Sequence, residues 1–158
     1  MAKAIEYIKG DATNPVGEGN KIIVHVCNDV GGWGKGFVMA ISNKWKEPEQ
    51  QYREWYKSQK EFAPGEVQYV KVADDTWVAN MIGQRDIKKD KYGNPPIRYE
   101  AILKGLEKLS AFAKDKNASV HMPRIGCGLA GGTWDKIEPL INANLSEKDI
   151  DVTVYDFV

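Results

Sequence analysis

The stretch His121-Met122-Pro123-Arg124-Ile125-Gly126-Cys127-Gly128-Leu129-Ala130-Gly131-Gly132 constrains this chain more than any other. A strand-like run, residues 118–122, leads into it, and a helix is predicted to start near Thr133. Glycine lacks a Cβ, so such a loop can bring several backbone N–H groups close to one ligand. The helix N-terminus behind it adds partial positive charge. Strand, glycine loop and helix start together make an anion site, most often for phosphate. The competing reading is a loop that leads into a helix and binds nothing.

Gly126 through Gly131 also fits G-x-G-x-x-G, the dinucleotide fingerprint. Its position argues against that assignment. A doubly wound dinucleotide fold carries the fingerprint in its first βα turn, with more parallel strands after it. Here only one helix and one strand are predicted to follow. Phosphate binding survives this test, and the dinucleotide fold does not.

A second glycine cluster, Gly31-Gly32-Trp33-Gly34-Lys35-Gly36, follows a clean strand over residues 21–28. A helix with apolar positions Phe37, Val38, Ile41 and Trp45 comes after it. Two strand–glycine loop–helix units suggest two loops gripping one ligand. A diphosphate with a sugar at one end suits that arrangement. Alone, the second cluster reads as an ordinary turn.

The rest of the chain reads as alternating elements. Residues 4–9 alternate apolar and polar side chains, as a half-buried strand does. Residues 21–28 are more uniformly apolar, which predicts a central strand. Pro48 suits a first helical position, with Tyr52, Trp55 and Tyr56 at helical spacing behind it for packing. Residues 66–72 and 76–82, joined at Asp74-Asp75, read as an antiparallel hairpin. Residues 84–96 form a long polar loop ending in Gly93-Asn94-Pro95-Pro96. A helix is predicted over 97–116, another near 133–145, and a last strand over 151–155. The sum is an α/β domain with about six mostly parallel strands and helices on both faces.

Charge and cysteine usage bound the function. Lys+Arg and Asp+Glu both number 22, which argues against a polyanion-coating protein, so nucleic acid is not an expected partner. The start, Met1-Ala2-Lys3-Ala4-Ile5-Glu6, does not read as a secretory leader, and no apolar run is long enough to span a bilayer. A cytoplasmic, monomeric protein with residues 1–158 as one domain is expected. Cys27 and Cys127 each sit beside a glycine loop and read as small apolar residues on a ligand wall. His25 and His121 are each alone in a strand pattern, so neither a metal site nor a cofactor is expected.

At this point the chain resembles a macro domain. The resemblance covers nearly its whole length. It rests on Tyr7-Ile8-Lys9-Gly10-Asp11-Ala12, on Ile23-Val24-His25-Val26-Cys27-Asn28 with the glycine loop after it, on Met122-Pro123-Arg124-Ile125-Gly126-Cys127-Gly128-Leu129, and on Val152-Thr153-Val154-Tyr155. The third block is the most specific. It is similar to the branch holding the terminal ADP-ribose protein glycohydrolase and the yeast ADP-ribose-1″-phosphate phosphatase. The resemblance implies a three-layer α/β/α fold with a mixed, mostly parallel sheet of about six strands. It implies ADP-ribose or an ADP-ribosylated protein as partner.

The resemblance also implies roles for single residues. Asp11, beside Ala12, would accept a hydrogen bond from the adenine amino group, and Tyr155 or Phe157 would pack on the adenine face. Arg124, Ile125, Gly126, Cys127, Gly128, Leu129, Ala130 and Gly131 would cradle the diphosphate. Asn28, Gly32, Gly34 and Gly36 would surround the distal ribose, with Trp33 closing over it. Glutamate-specific glycohydrolases of this branch use a lysine after the fourth strand and an aspartate after the Gly-Cys-Gly-Leu run. Gln84 and Ala130 stand there instead, and neither can do nucleophilic or acid–base work. The phosphatase branch carries a histidine in a position like His25, which makes His25, Asn28 and Asp29 the candidate catalytic set. Hydrolysis of an ADP-ribose derivative is the expected activity, and a reader that binds without turnover is the alternative.

Overall fold

Ile22-Ile23-Val24-His25-Val26-Cys27 holds no carboxylate, lysine or glycine, so it can be buried on both faces of a sheet. In the computed structural model, which describes residues 3–157, it belongs to the strand β2 (Lys21–Cys27), whose side chains are almost all buried. Met1, Ala2 and Val158 lie outside the described residues, so the leader reading falls partly outside them too. The flanking parallel strands are β4 (Thr76–Ile82) on one side and β5 (Ser119–Met122) on the other. Beyond β5 lies β6 (Val152–Asp156), and β1 (Glu6–Lys9) pairs parallel with β6 at that edge. The strand β3 (Val67–Ala73) closes the other edge, antiparallel to β4 as the hairpin reading expected. The six-stranded order is β1-β6-β5-β2-β4-β3.

The period-two alternation of β2 sorts its side chains between two helical layers. Ile22 and Val24 join the cluster built with α3 (Tyr99–Lys116) and α4 (Trp134–Asn144), through Leu106, Leu109, Ile137 and Ile141. Ile23 and Cys27 join Ile41 of α1 (Phe37–Lys44) and Tyr52 of α2 (Glu47–Ser58). Each fully buried Leu, Ile or Val of this kind contributes about 1.5–3 kcal/mol. The result is the three-layer α/β/α architecture. Among the described residues, no helix is long and apolar enough to cross a membrane.

Element boundaries differ from the sequence reading in places that matter. The strand β1 begins at Glu6, the first residue in register with β6, rather than at Ala4. The strand β2 ends at Cys27, so Asn28 already belongs to the turn. The helix α3 begins at Tyr99, two residues later than expected. Pro96 biases Pro95, and Pro95 biases Asn94, away from helical backbone, and the next residues are held by long-range bonds. Ile97 then bridges to Gln84 and donates its N–H to Ala130 O at 3.0 Å.

Because the five strands other than β3 run the same way, the segments after β1, β6, β5, β2 and β4 rise from one edge, in that order across the sheet. Ligands of open α/β sheets bind at such a carboxyl edge.

Candidate functional site

Three loops at that edge enclose a cleft of about 980 Å³. The end of β2 and the first glycine loop supply His25, Cys27, Asn28, Gly32, Trp33, Gly34 and Gly36. The second glycine loop supplies Arg124, Ile125, Gly126, Gly128, Leu129 and Ala130, and the loop after β4 supplies Gln84 and Ile87. Asp11, Ala12, Asp29, Cys127, Gly131, Tyr155 and Phe157 lie outside this lining.

Tight turns shape the second glycine loop. Gly132 donates its N–H to Gly126 O at 2.7 Å, and Gly131 donates to Gly128 O at 3.0 Å. Gly126 has φ +73°, and a Cβ there would meet Ile97 at 2.7 Å and Ile137 at 2.9 Å. Gly128 differs: a Cβ on it would meet nothing within 4 Å. The start of α4, at Trp134, stands behind the loop with its uncapped N–H groups. A Cβ on Gly131 would come within 2.6 Å of Pro95, so that glycine serves loop packing. The Cys127 thiol bonds to Ile125 O at 3.5 Å and its side chain packs on the core, which removes it from the ligand wall.

Asn28 organises the first loop. Its Oδ1 accepts N–H groups of Val30 at 3.0 Å and Gly32 at 2.9 Å, and the Tyr52 hydroxyl at 2.9 Å. Its Nδ2 donates to Gly32 O at 2.9 Å. The expected give-and-take with sugar hydroxyls is therefore reduced to one remaining Nδ2 proton. Arg53 of α2 supports the same loop, donating to Gly31 O at 3.2 Å and Trp33 O at 3.3 Å. Trp33 is buried, its Nε1 donating to Ser42 Oγ at 2.7 Å and its ring edge-on to His25 at 5.3 Å. It is a fixed wall and not a ring that closes over a sugar.

His25 is buried too, with Nε2 2.6 Å from Asn80 Oδ1. Asn80 donates from Nδ2 to Pro48 O at 3.2 Å and Gln68 Oε1 at 3.0 Å, so its oxygen faces His25 and Nε2 carries the ring proton. Burial pushes the His25 pKa down to about 4, against the opposing pull of the Asn80 bond. His25 is thus neutral at pH 7, so it has no imidazolium proton to give as a general acid, and its Nε2–H is committed to Asn80. Burial likewise pushes the Cys27 thiol up, so no thiolate forms there. Asp29 is not part of the cleft lining, and its Oδ1 accepts the Asp86 N–H at 2.6 Å and ties down the loop after β4. Gln84 donates from Nε2 to Asp86 O at 2.9 Å, and Ala130 is buried.

The β1–β6 end adjoins the cleft. Asp11 Oδ1 accepts the Thr13 N–H at 2.8 Å and its hydroxyl at 2.7 Å, leaving Oδ2 without a partner among the described residues. Tyr155 is buried, its hydroxyl accepting the Val16 N–H at 2.9 Å and bonded to His121 Nδ1 at 2.7 Å. Of the two rings expected at the adenine, only Phe157, 81% exposed, offers a free face. Arg124 lies between this end and the glycine loop. It donates from Nε and Nη2 to the Asp156 carboxylate at 2.7 and 3.1 Å, and its guanidinium sits 5.1 Å from the Tyr7 ring and 5.2 Å from that of Trp134. Its charge is therefore already paired. Among the described residues, no group of three His, Cys, Asp or Glu side chains could hold a metal ion.

Sequence reasoning missed Arg53, Asn80 and Ile87. Asn80 had a readable signal, an amide inside an otherwise apolar strand, since buried amides need partners. Arg53 had only its spacing from Glu49, one turn away on α2, to mark it.

No protein-family model matches the chain. A macrodomain protein of Streptomyces coelicolor, solved as a structure, is 51% identical over 97% of this chain and 99% of its own, with a TM-score of 0.87. The chain belongs to the macrodomain family. The chromodomain-helicase-DNA-binding protein 1-like of Danio rerio is 35% identical over 161 residues, 96% of this macrodomain, yet the match spans only 15% of that much longer relative. Shorter relatives match end to end. The ADP-ribose 1″-phosphate phosphatase of Lodderomyces elongisporus is 28% identical over 96% of this chain and 99% of its own, and the ADP-ribose glycohydrolase OARD1 of Bos taurus is 28% identical over 96% and 90%.

Proposed function

We propose that this macrodomain binds ADP-ribose along the carboxyl edge and hydrolyses an ADP-ribose derivative, either ADP-ribose 1″-phosphate or an ADP-ribosylated protein. One observation carries the reading: two glycine loops face each other across a cleft of about 980 Å³, roomy enough for a diphosphate and a sugar. Relatives named for ADP-ribose 1″-phosphate phosphatase and ADP-ribose glycohydrolase activity support it. Asp11 Oδ2 accepts the adenine amino group and Phe157 covers the base. Backbone N–H groups of the second glycine loop hold the diphosphate. Gly32, Gly34, Gly36 and the remaining Asn28 proton surround the distal ribose. We take residues 1–158 to act as one domain, as a monomer and in the cytoplasm.

Water is the nucleophile in this reading. With Gln84 and Ala130 at the lysine and aspartate positions, no covalent lysyl intermediate forms. Turnover then rests on positioning, without the factor of about 10²–10⁴ that a placed acid or base adds. A second reading, an ADP-ribose reader without turnover, is favoured by the same two side chains and by the neutral, buried His25. Phosphate release from ADP-ribose 1″-phosphate and ADP-ribose release from a glutamate-modified protein, assayed side by side, separate the two. Turnover of either substrate with no lysyl adduct in mass spectrometry supports the hydrolase, and turnover of neither leaves the reader.

A further inference from the structure

The loop between β4 and α3 spans residues 83–98. It is tied down near both ends. Asp29 holds the Asp86 N–H at 2.6 Å, and Ile87 lies over Gly32, where a Cβ would come within 3.5 Å of it. At the far end Pro95 sits against Gly131. Between these anchors the tip folds on Asp90. Its Oδ1 accepts the N–H groups of Tyr92 at 2.8 Å and Asn94 at 3.0 Å, and its own N–H donates to Asn94 O at 3.0 Å. The Asn94 bond foremost holds the Asp90 carboxyl below its ordinary range.

Both acids of the tip accept backbone amides, Asp86 from the Ile87 N–H at 2.6 Å, and stay ionised, so Arg85, Lys88, Lys89 and Lys91 outnumber them and leave the tip net positive. Lys88 and Lys89 are exposed, and Lys91 leans on the Tyr92 ring at 5.1 Å. Tyr92 itself is 78% exposed. An ordered turn thus presents three lysines and a ring to solvent.

Strand order fixes where this turn stands. The segments after β1 and β6 lie at one end of the edge and the loop after β4 at the other, with the two glycine loops between them. On the function proposed above, on which this inference rests, the adenine occupies the first end. Whatever carries the ADP-ribosyl group then leaves the cleft beside Gln84 and Ile87, under the tip.

We propose that Lys88, Lys89, Lys91 and Tyr92 dock the carrier of the ADP-ribosyl group, and that this carrier is an acidic peptide segment. Lysines are mobile point charges that suit carboxylates scattered along a peptide. Single-stranded nucleic acid sites instead align several stacked rings along a basic groove, and the tip offers one ring. The zero net charge of the chain also disfavours a polyanion partner held over a long contact.

The test compares wild type with a Lys88→Glu/Lys89→Glu/Lys91→Glu variant. Each is titrated with free ADP-ribose, an ADP-ribosylated acid-rich peptide, a neutral peptide bearing the same modification, and an ADP-ribosylated oligonucleotide, at low and high salt. We expect wild type to bind the acid-rich peptide about tenfold more tightly than the neutral one at low salt, an advantage that salt erases. The variant loses that advantage and keeps its affinity for free ADP-ribose. Equal binding of the two peptides by wild type, or an unchanged preference in the variant, overturns the docking role while leaving the cleft assignment standing. A larger gain with the oligonucleotide replaces the acidic peptide by nucleic acid and overturns the proposal. No binding of free ADP-ribose by wild type removes the functional reading and this inference with it.

Discussion

His25 and His121 show how a lone histidine in a strand acquires a role its neighbours in sequence do not disclose. Burial drives both down to a pKa of about 4, helped at His121 by the nearby Lys21 charge. Their partners, Asn80 and Tyr155, lie on other strands, so the sequence pattern told of burial but not of pairing. Each histidine is neutral in the folded state and binds a proton near pH 6.5 when unfolded. Unfolded chains therefore take up more protons between those values. The stability these sites contribute is full above pH 6.5 and falls as pH drops toward 4, by up to about 1.4 kcal/mol per pH unit for each histidine. Denaturant titrations from pH 7 to pH 4 should show this slope, and it should be shallower in a His121→Gln variant that still folds. Asp11 makes a second test at this scale. Replacing it with alanine should leave the fold in place and weaken adenine-nucleotide binding by about 1.5–3 kcal/mol, roughly one to two decades in Kd by calorimetry. An unchanged Kd would make Asp11 only the cap of the Thr13 turn.

Elements were legible where one periodicity held and blurred where chain neighbours competed. The uniform apolar run of β2 marked a central strand, and the alternation of β3 with the turn at Asp74-Asp75 and the strand after it marked a hairpin, as found. The start of α3 falls two residues after Ile97 because Ile97 bridges to Gln84 and gives its N–H to Ala130 O, long-range bonds that leave no mark in the local apolar pattern. The loop of residues 84–96 read as polar and irregular, yet Asp90 folds its tip, an Asx-turn effect that composition alone does not reveal. Gly126 and Gly128 of the second loop divide along the same line. Gly126→Val forces a branched side chain into φ +73° and against Ile97 and Ile137, and overpacking of this kind costs about 1–3 kcal/mol, so thermal unfolding should move to lower temperature. Gly128→Val meets nothing in the fold. It should melt like wild type and lose ADP-ribose affinity by at least about tenfold, since its side chain fills space where the backbone approaches the ligand. A Gly128→Val protein that binds normally takes the diphosphate out of this loop.

At the scale of the whole molecule, the glycine loops and their strands announced an α/β sheet with a ligand at its carboxyl edge. The order of the strands was not written there, because parallel pairing between distant segments leaves no local mark. On the proposed function that order puts the adenine end at β1 and β6 and the distal end at β4, with Asp11 and Phe157 outside the main cleft lining. It also makes Arg124 a structural bridge between the two ends, paired with Asp156, where the sequence marked it only as part of a ligand loop. Isothermal titration of the full chain with ADP-ribose, with adenosine as the comparison, tests the central claim most directly. Saturable one-to-one binding of ADP-ribose, tighter than that of adenosine and weakened by Gly128→Val, is the expected result. No heat of binding at millimolar ADP-ribose, or equal affinity for adenosine, would contradict a diphosphate held between the two glycine loops.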